Sequence, residues 1–251
     1  MVVKSKCSFS WSLFFGVLFL CGALFADDAR VWRNQQGERF EGRFVRVLLG
    51  KVQLETEAGE KLYIPLKELS KWDLKHLASI FVPKVNIRFS DKSRSKFRSK
   101  NALADDIIRI VTGTATVEAK DEIESSTLRM EAYMIGEEVA TDDFKLLEKG
   151  AMPLKFSDEN EYTCQLVLET ESRNYMEYNR QLRGCLYIGY VVVVLDRKGQ
   201  VVDFRSDISW IQGGHLEKLR KLEKNDFFDS NLKSRSVPRP KNTELDRVGV
   251  Q

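Results

Sequence analysis

The chain has 251 residues, with 40 Lys and Arg against 37 Asp and Glu and a formal net charge of +3. A charge so balanced supplies no global field for nucleic acid. Two histidines and four cysteines, with no His-x-x-x-His or Cys-x-x-Cys spacing, offer no transition-metal centre, and no metal or other cofactor is expected.

Residues 1–26 have the parts of a secretory signal peptide. Lys4 and Lys6 make a positive start, Phe9 to Phe25 is uncharged and apolar, and Ala26 is a small residue ahead of Asp27 and Asp28. Cleavage after Ala26 would send the chain to the periplasm or outside the cell. Two alternatives stay open. The run is close to the lower limit of about 17 residues for a spanning helix, so it would also serve as an uncleaved anchor. Lipidation at Cys21 would need small residues where Phe19 and Leu20 stand. Cleavage takes Lys4 and Lys6 from the 40 basic residues, leaving 38 against 37 acids. It also takes Cys7 and Cys21, so Cys164 and Cys185 remain as a candidate disulfide in an oxidising compartment.

Residues 27–82 read as a small antiparallel module. Alternation runs through Arg30-Val31-Trp32 and Phe40 to Val47, Gly50 interrupts it, and Val52-Gln53-Leu54-Glu55 resumes it. Ala58-Gly59 predicts a hairpin turn into Leu62–Leu66, where Pro65 suits an edge or a strand end. Ser70 with Asp73 three residues later predicts the start of a helical turn around Trp72. Short strands with one closing turn predict an SH3-like barrel.

The same residues carry a family resemblance. Arg30-x-Trp32, Gly37, Phe40, Phe44-Val45, Val52-x-Leu54, Gly59, Ile64-Pro65-Leu66 and Leu69-Ser70-x-x-Asp73 resemble the Sla-one homology domain 1 family, over about a fifth of the chain. The resemblance implies an SH3-like fold and recognition of protein or peptide partners. Eukaryotic members in endocytic adaptors bind short Asn-Pro-Phe-type peptides, and related modules occur in exported bacterial proteins. Where the family often has a basic residue after the Val-x-Leu strand, this chain has Thr56, with Lys51 and Lys61 nearby in sequence.

Residues 83–225 read as a second, larger β-domain. Strands are expected at Lys84–Phe89, Ile107–Val117, Thr127–Ile135, Tyr162–Leu168, Cys185–Leu195 and Val201–Arg205. Tyr190 to Leu195 is continuously apolar, as in a strand covered on both faces. Strands at this spacing predict an immunoglobulin- or fibronectin-like β-sandwich, so the fold class is all-β. A short C-terminal helix follows over His215–Lys224, its Leu216, Leu219 and Leu222 stripe facing the domain and Glu217 set to pair with Lys221. Residues 226–251 are polar, with Pro238 and Pro240, and are expected to be a disordered tail.

Catalytic chemistry has little material. His76 belongs to the small module's closing turn and His215 to the start of the terminal helix. No nucleophile elbow, Gly-rich phosphate loop or calcium-loop spacing accompanies them, and Glu137-Glu138 and Asp142-Asp143 read as solvated surface. Lys92, Arg94, Lys96, Arg98 and Lys100 alternate with Ser93, Ser95, Phe97 and Ser99. If extended, they put five cations on one side, either as a grip for an anionic surface or as protection of an edge strand. Tyr187 and Trp210 read as core, while Tyr175 and Tyr178 are candidates for stacking on sugar.

These observations predict an exported, non-enzymatic binding or adaptor protein. Candidate ligand contacts on the small module are Trp32, Lys61, Tyr63 and Trp72, for a protein or peptide partner. The alternative is a cell-envelope binder that uses the basic segment 92–100 on an anionic polymer, glycan or membrane surface. Neither reading involves nucleic acid, or a membrane span after cleavage.

Overall fold

The computed structural model describes residues 29–96, 107–121, 123–176 and 182–236. The expected signal peptide, Arg98, Lys100 and Tyr178 lie outside them. The chain is all-β, as the alternation predicts. It divides into two compact units after Asp73, inside a helix, rather than at residue 82.

The first unit is built on strands β1 (Arg30–Arg33), β2 (Arg39–Leu48), β3 (Lys51–Glu55) and β4 (Lys61–Pro65). They pair antiparallel in the order β1-β2-β3-β4, an open sheet with no pairing of β1 to β4 among the described residues. A 3-10 turn over Leu66–Glu68 leads to helix α1 (Lys71–Ile80). Inward positions supply Trp32, Val52, Leu54, Ile64 and Leu69, all buried. The Trp32 indole N–H donates to the Gly42 carbonyl at 3.0 Å, so the ring is buried without leaving its polar atom unmade.

Asp73 is the hub of this unit. Its buried carboxylate pairs with Arg30 at 2.6 Å and accepts from the Arg33 N–H at 2.8 Å and the Ser70 hydroxyl at 2.7 Å. The Ser70 oxygen in turn accepts the Asp73 N–H at 3.2 Å, capping α1 as its sequence predicts. Arg30 also lies over the Trp32 ring, 4.9 Å from its centroid. The residues that carry the family resemblance are thus mainly those that build the module.

The second unit contains β5 (Val85–Ser95), β6 (Ile107–Ala119), β7 (Ser125–Glu138), β8 (Phe144–Phe156), β9 (Thr163–Met176), β10 (Leu182–Leu195) and β11 (Val201–Ser206). Helix α2 (Leu216–Lys221) and the short strands β12 (Phe227–Phe228) and β13 (Ser234–Arg235) complete it. All strands join one antiparallel sheet in the order β13-β12-β8-β7-β10-β9-β6-β5, with β11 also on β10. Strand β10 changes its neighbour on one side along its length. Cys185 and the three residues before it pair with β9, whereas Val191–Leu195 pair on that side with β11. Gly184, within the stretch paired with β9, has φ +116 and leaves no room for a side chain, because a Cβ would sit 2.0 Å from the Arg173 carbonyl oxygen.

Strand β10 is the wall between two cores. Tyr190, Val192 and Val194 join Ile87, Ala115, Val117, Met130 and Met134 on one side. Val191, Val193 and Leu195 join Tyr133, Ile135, Leu146, Ile208, Ile211 and the α2 leucines on the other side. Phe89 stacks on Tyr190 across the first core, with ring centroids 3.9 Å apart. The continuous apolar run is what such a strand requires, because neither face meets water.

Three details differ from the sequence reading. Strand β8 is an element that the sequence reading does not include. Its Pro153 opposes Arg129 of β7, and β12 reaches the other side of β8 only at Phe144 and Lys145, so at Pro153 the strand has a paired neighbour on one side alone. The tail is ordered beyond 226, because Phe228 and Leu232 enter the second core. Leu216, Leu219 and Leu222 dock as expected, but Glu217 pairs with Arg220 at 3.1 Å in place of Lys221.

Candidate binding surface

The small sheet presents one polar face opposite its Trp32 core. Register places Arg43, Glu55 and Lys61 in one cross-strand row, Arg46, Gln53 and Tyr63 in the next, and Leu48, Lys51 and Pro65 in a third. Arg43 pairs with Glu55. The Arg46 Nε donates to the Gln53 side-chain oxygen at 2.8 Å, and Gln53 is buried beneath its neighbours. A β-bulge at Val45 shifts the pattern by one residue, which puts Arg46 rather than Val45 in line with Arg43. Tyr63 is 49% exposed amid this lattice, with Lys61 two residues before it on β4. Arg43, Arg46, Lys51 and Lys61 outnumber Glu55 on these rows, so the face favours an anionic partner with an apolar side chain for Tyr63.

The four residues proposed for this module separate into three environments. Lys61 and Tyr63 share the polar face. Trp72, in the first turn of α1, is 82% exposed, and no ring contact joins it to Tyr63. Trp32 is 0% exposed and is a core residue rather than a ligand contact. Arg46 escapes sequence reasoning because its alignment with Tyr63 depends on the bulge.

The basic segment is extended over Lys92–Ser95, within β5, which forms a lateral edge of the large sheet. Lys92 and Arg94 oppose Thr112 and Ile110 of β6. Arg94 comes within 3.9 Å of Glu169 and Lys96 within 3.0 Å of Glu171, both on β9. The described cations therefore face an acidic row on their own sheet. Their alternation also suits edge protection, since a lysine on an exposed edge opposes pairing with another chain.

Cys164 and Cys185 are both free and buried. Cys185 is in register with Arg173 of β9, nine positions along that strand from Cys164. At about 3.3 Å per residue the two thiols are roughly 30 Å apart, far beyond the span of about 7 Å allowed to a disulfide. The expected bond is therefore corrected to two separate thiols. Cys185 Sγ lies 3.4 Å from the Glu138 carboxylate, which also pairs with Arg183 at 3.3 Å. Burial first, and the Glu138 charge second, push its pKa up to about 12. Burial also raises the Cys164 thiol. Neither is an activated nucleophile.

Other candidates are occupied locally. The His215 Nδ1 accepts the Gln212 N–H at 3.3 Å. Tyr175 is half-buried under the Arg173 guanidinium, 4.9 Å from its centroid, and Trp210 packs on Phe144 at 4.8 Å. Tyr187 is half-buried against the first core, and burial raises its hydroxyl pKa. An open cleft of about 430 Å³ beside the β10–β11 turn is lined by Arg129, Glu131, Arg197 and Arg220, among others. Its ionic groups are largely engaged with one another, Arg220 and Arg129 both meeting Glu131.

No protein-family model and no curated protein matches the chain. Among solved structures it is similar to a protein from Akkermansia muciniphila, at 19% identity over 57% of this chain and 78% of that one. The TM-score is 0.21, too low to carry a conclusion on fold or function.

Proposed function

We propose that the chain is an exported, non-enzymatic binding protein whose N-terminal sheet takes a protein or peptide partner on its polar face. The observation that carries this reading is the half-exposed Tyr63 ring set among Arg43, Arg46 and Lys61. An aromatic ring with a polar tip makes large contact area at small entropic cost, and surrounding cations choose acidic partners. The resemblance to the Sla-one homology domain 1 family supports peptide binding independently of that geometry. The second unit serves as the scaffold.

The test is a displayed peptide library panned on the purified chain, followed by titration of the enriched peptides. Acidic sequences with an apolar anchor are expected. Tyr63→Ala should weaken them about tenfold, within the range of an interface aromatic, with the melting temperature unchanged. Enriched peptides that bind Tyr63→Ala and Lys61→Gln as tightly as the parent chain would refute this face as the site.

A further inference from the structure

The β2–β3 hairpin closes on a residue that its turn disfavours. Both turn positions adopt positive φ, +51 at Leu49 and +71 at Gly50. Glycine takes this conformation freely and asparagine tolerates it, but the leucine Cβ presses against its own backbone. Burial gives no compensation: Leu49 is 92% exposed, the most of any large apolar residue described. Leu48 beside it and Val45 in the bulge are each 42% exposed. Strain retained at a fully exposed apolar side chain points to a contact outside the folded chain.

The surroundings indicate what that contact is. Arg46 and Lys51 flank the end of the hairpin. The Leu66 N–H donates to the Gly50 carbonyl at 2.9 Å, which holds the 3-10 turn carrying Lys67 against the tip. Glu68 is the acid of that turn, whereas Glu57 and Glu60 lie in the Thr56–Glu60 turn at the opposite end of β3. The tip thus sets Leu48, Leu49 and three cations against the single acid Glu68, whereas the far end of β3 mixes Arg43 and Lys61 with Glu55, Glu57 and Glu60. A narrow apolar point backed by cations suits an anionic bilayer, where leucines enter the acyl boundary and the cations stay at the phosphates. A two-residue turn offers a protein partner too little area for a stable interface.

We propose that this tip, Leu48 and Leu49 backed by Arg46, Lys51 and Lys67, is a contact point for anionic membrane surfaces. It shares Arg46 and Lys51 with the Tyr63 face, but Leu49 and Lys67 lie outside that face's rows, so Leu49→Asn tests the tip and Tyr63→Ala tests the face. It places envelope binding on the first unit instead of on the basic edge strand β5.

The test is co-sedimentation with vesicles, using the chain from Asp27 because the apolar run before it would enter bilayers unaided. The probe is vesicles of phosphatidylcholine with one quarter phosphatidylglycerol, against phosphatidylcholine alone. Binding to the anionic vesicles is expected, with loss at high salt. Leu49→Asn should lower the partition coefficient about tenfold, as withdrawal of one leucine from an apolar phase requires, while the melting temperature stays level or rises. Replacing Arg46, Lys51 and Lys67 together by Gln should abolish the salt dependence. Unchanged binding of Leu49→Asn, equal binding to neutral vesicles, or a lowered melting temperature in Leu49→Asn would each overturn the proposal. So would a chain that ignores vesicles but loses a peptide ligand on Leu49→Asn, which would assign the tip to a protein pocket.

Discussion

Arg220 of α2 places its Nε 2.9 Å from Glu131 Oε2, and the Tyr133 hydroxyl donates to the same oxygen at 2.9 Å. Arg129 approaches the other carboxylate oxygen to 3.5 Å. Glu131 is buried on the β7 face that α2 covers. Six residues are too few for a helix to persist alone, so α2 depends on its leucines and on this ion pair. Burial, with the Glu131 charge next in weight, raises the Tyr133 pKa, so its hydroxyl stays a donor at physiological pH.

Removing one partner of that pair should be costly. Glu131→Ala is expected to destabilise the chain by about 2–3 kcal/mol, because it leaves the half-buried Arg220 and the Tyr133 hydroxyl without their carboxylate. Arg220→Ala should cost less, since its guanidinium is partly in solvent. A urea double-mutant cycle should give a coupling above about 1 kcal/mol. Strictly additive single and double variants would mean that the pair contributes nothing.

Strand β10 has no room for a side chain at Gly184, where it pairs with Asn174 of β9. Gly184→Ala should destabilise by more than about 3 kcal/mol, combining a disfavoured φ with collision against the Arg173 carbonyl. Gly199→Ala is the control, because its φ is also positive, +78, but nothing lies within 4 Å of its Cβ. Equal melting temperatures for the two variants would show that the collision relaxes away.

Two tryptophans forty residues apart should behave in opposite ways. Trp32→Ala is expected to cost about 3–5 kcal/mol, through lost burial and an emptied core. Trp72→Ala should change stability by less than about 0.5 kcal/mol, as expected for an exposed side chain. A large loss on Trp72→Ala would place that ring in a packed environment.

The cysteines should be silent until the protein unfolds. With Cys185 near pKa 12 and Cys164 also raised, native protein at pH 8 should react with iodoacetamide on the order of 100-fold more slowly than a free thiol. In denaturant without reductant, mass spectrometry should find both alkylated. A denatured chain that takes no label at these positions would reinstate the disulfide.

Asp207 provides a pH signature. Burial holds its carboxyl above the usual range, with the Asp91 charge adding to the rise and the Tyr190 N–H, 2.7 Å away, opposing it. A raised folded pKa means the folded chain binds this proton more readily. The resulting stability is complete below the unfolded pKa and is lost as pH rises through the folded one. Asp207→Asn keeps an acceptor for Tyr190 and should stabilise at pH 7, by less than about 1 kcal/mol at so exposed a residue. The gain should vanish toward pH 3. An equal gain at both values would exclude ionisation as its cause.

How much was legible depended on how local the cause was. Alternation announced β2, β3 and β4, and the run from Tyr190 to Leu195 announced a strand buried on both faces. Strand β8 was hidden because Glu148, Lys149, Gly150 and Pro153 interrupt its apolar residues, and its placement comes from β7 across the sheet. The basic alternation at Lys92–Lys96 was visible, but its acidic counterpart was not, since Lys96 meets Glu171 from 75 positions away. The polar face around Tyr63 was half legible. Lys61 and Tyr63 alternate in sequence, whereas Arg46 joins them only through a bulge that no local pattern marks. The cysteine pair failed for a related reason: both sit in strands, but registers far apart along β9 separate them.

The order of strands in the large sheet also bears on time. Glu118 of β6 pairs with Thr163 of β9, and Arg129 of β7 with Leu195 of β10, so nearly every ladder except the hairpins waits for distant chain to arrive. Closing such loops before any contact rewards them slows folding toward the millisecond-to-second range. The first unit, made of successive hairpins, carries no such delay. A chain expected to cross a membrane before it folds would benefit from this arrangement, because its larger unit stays threadable until most of its length has emerged.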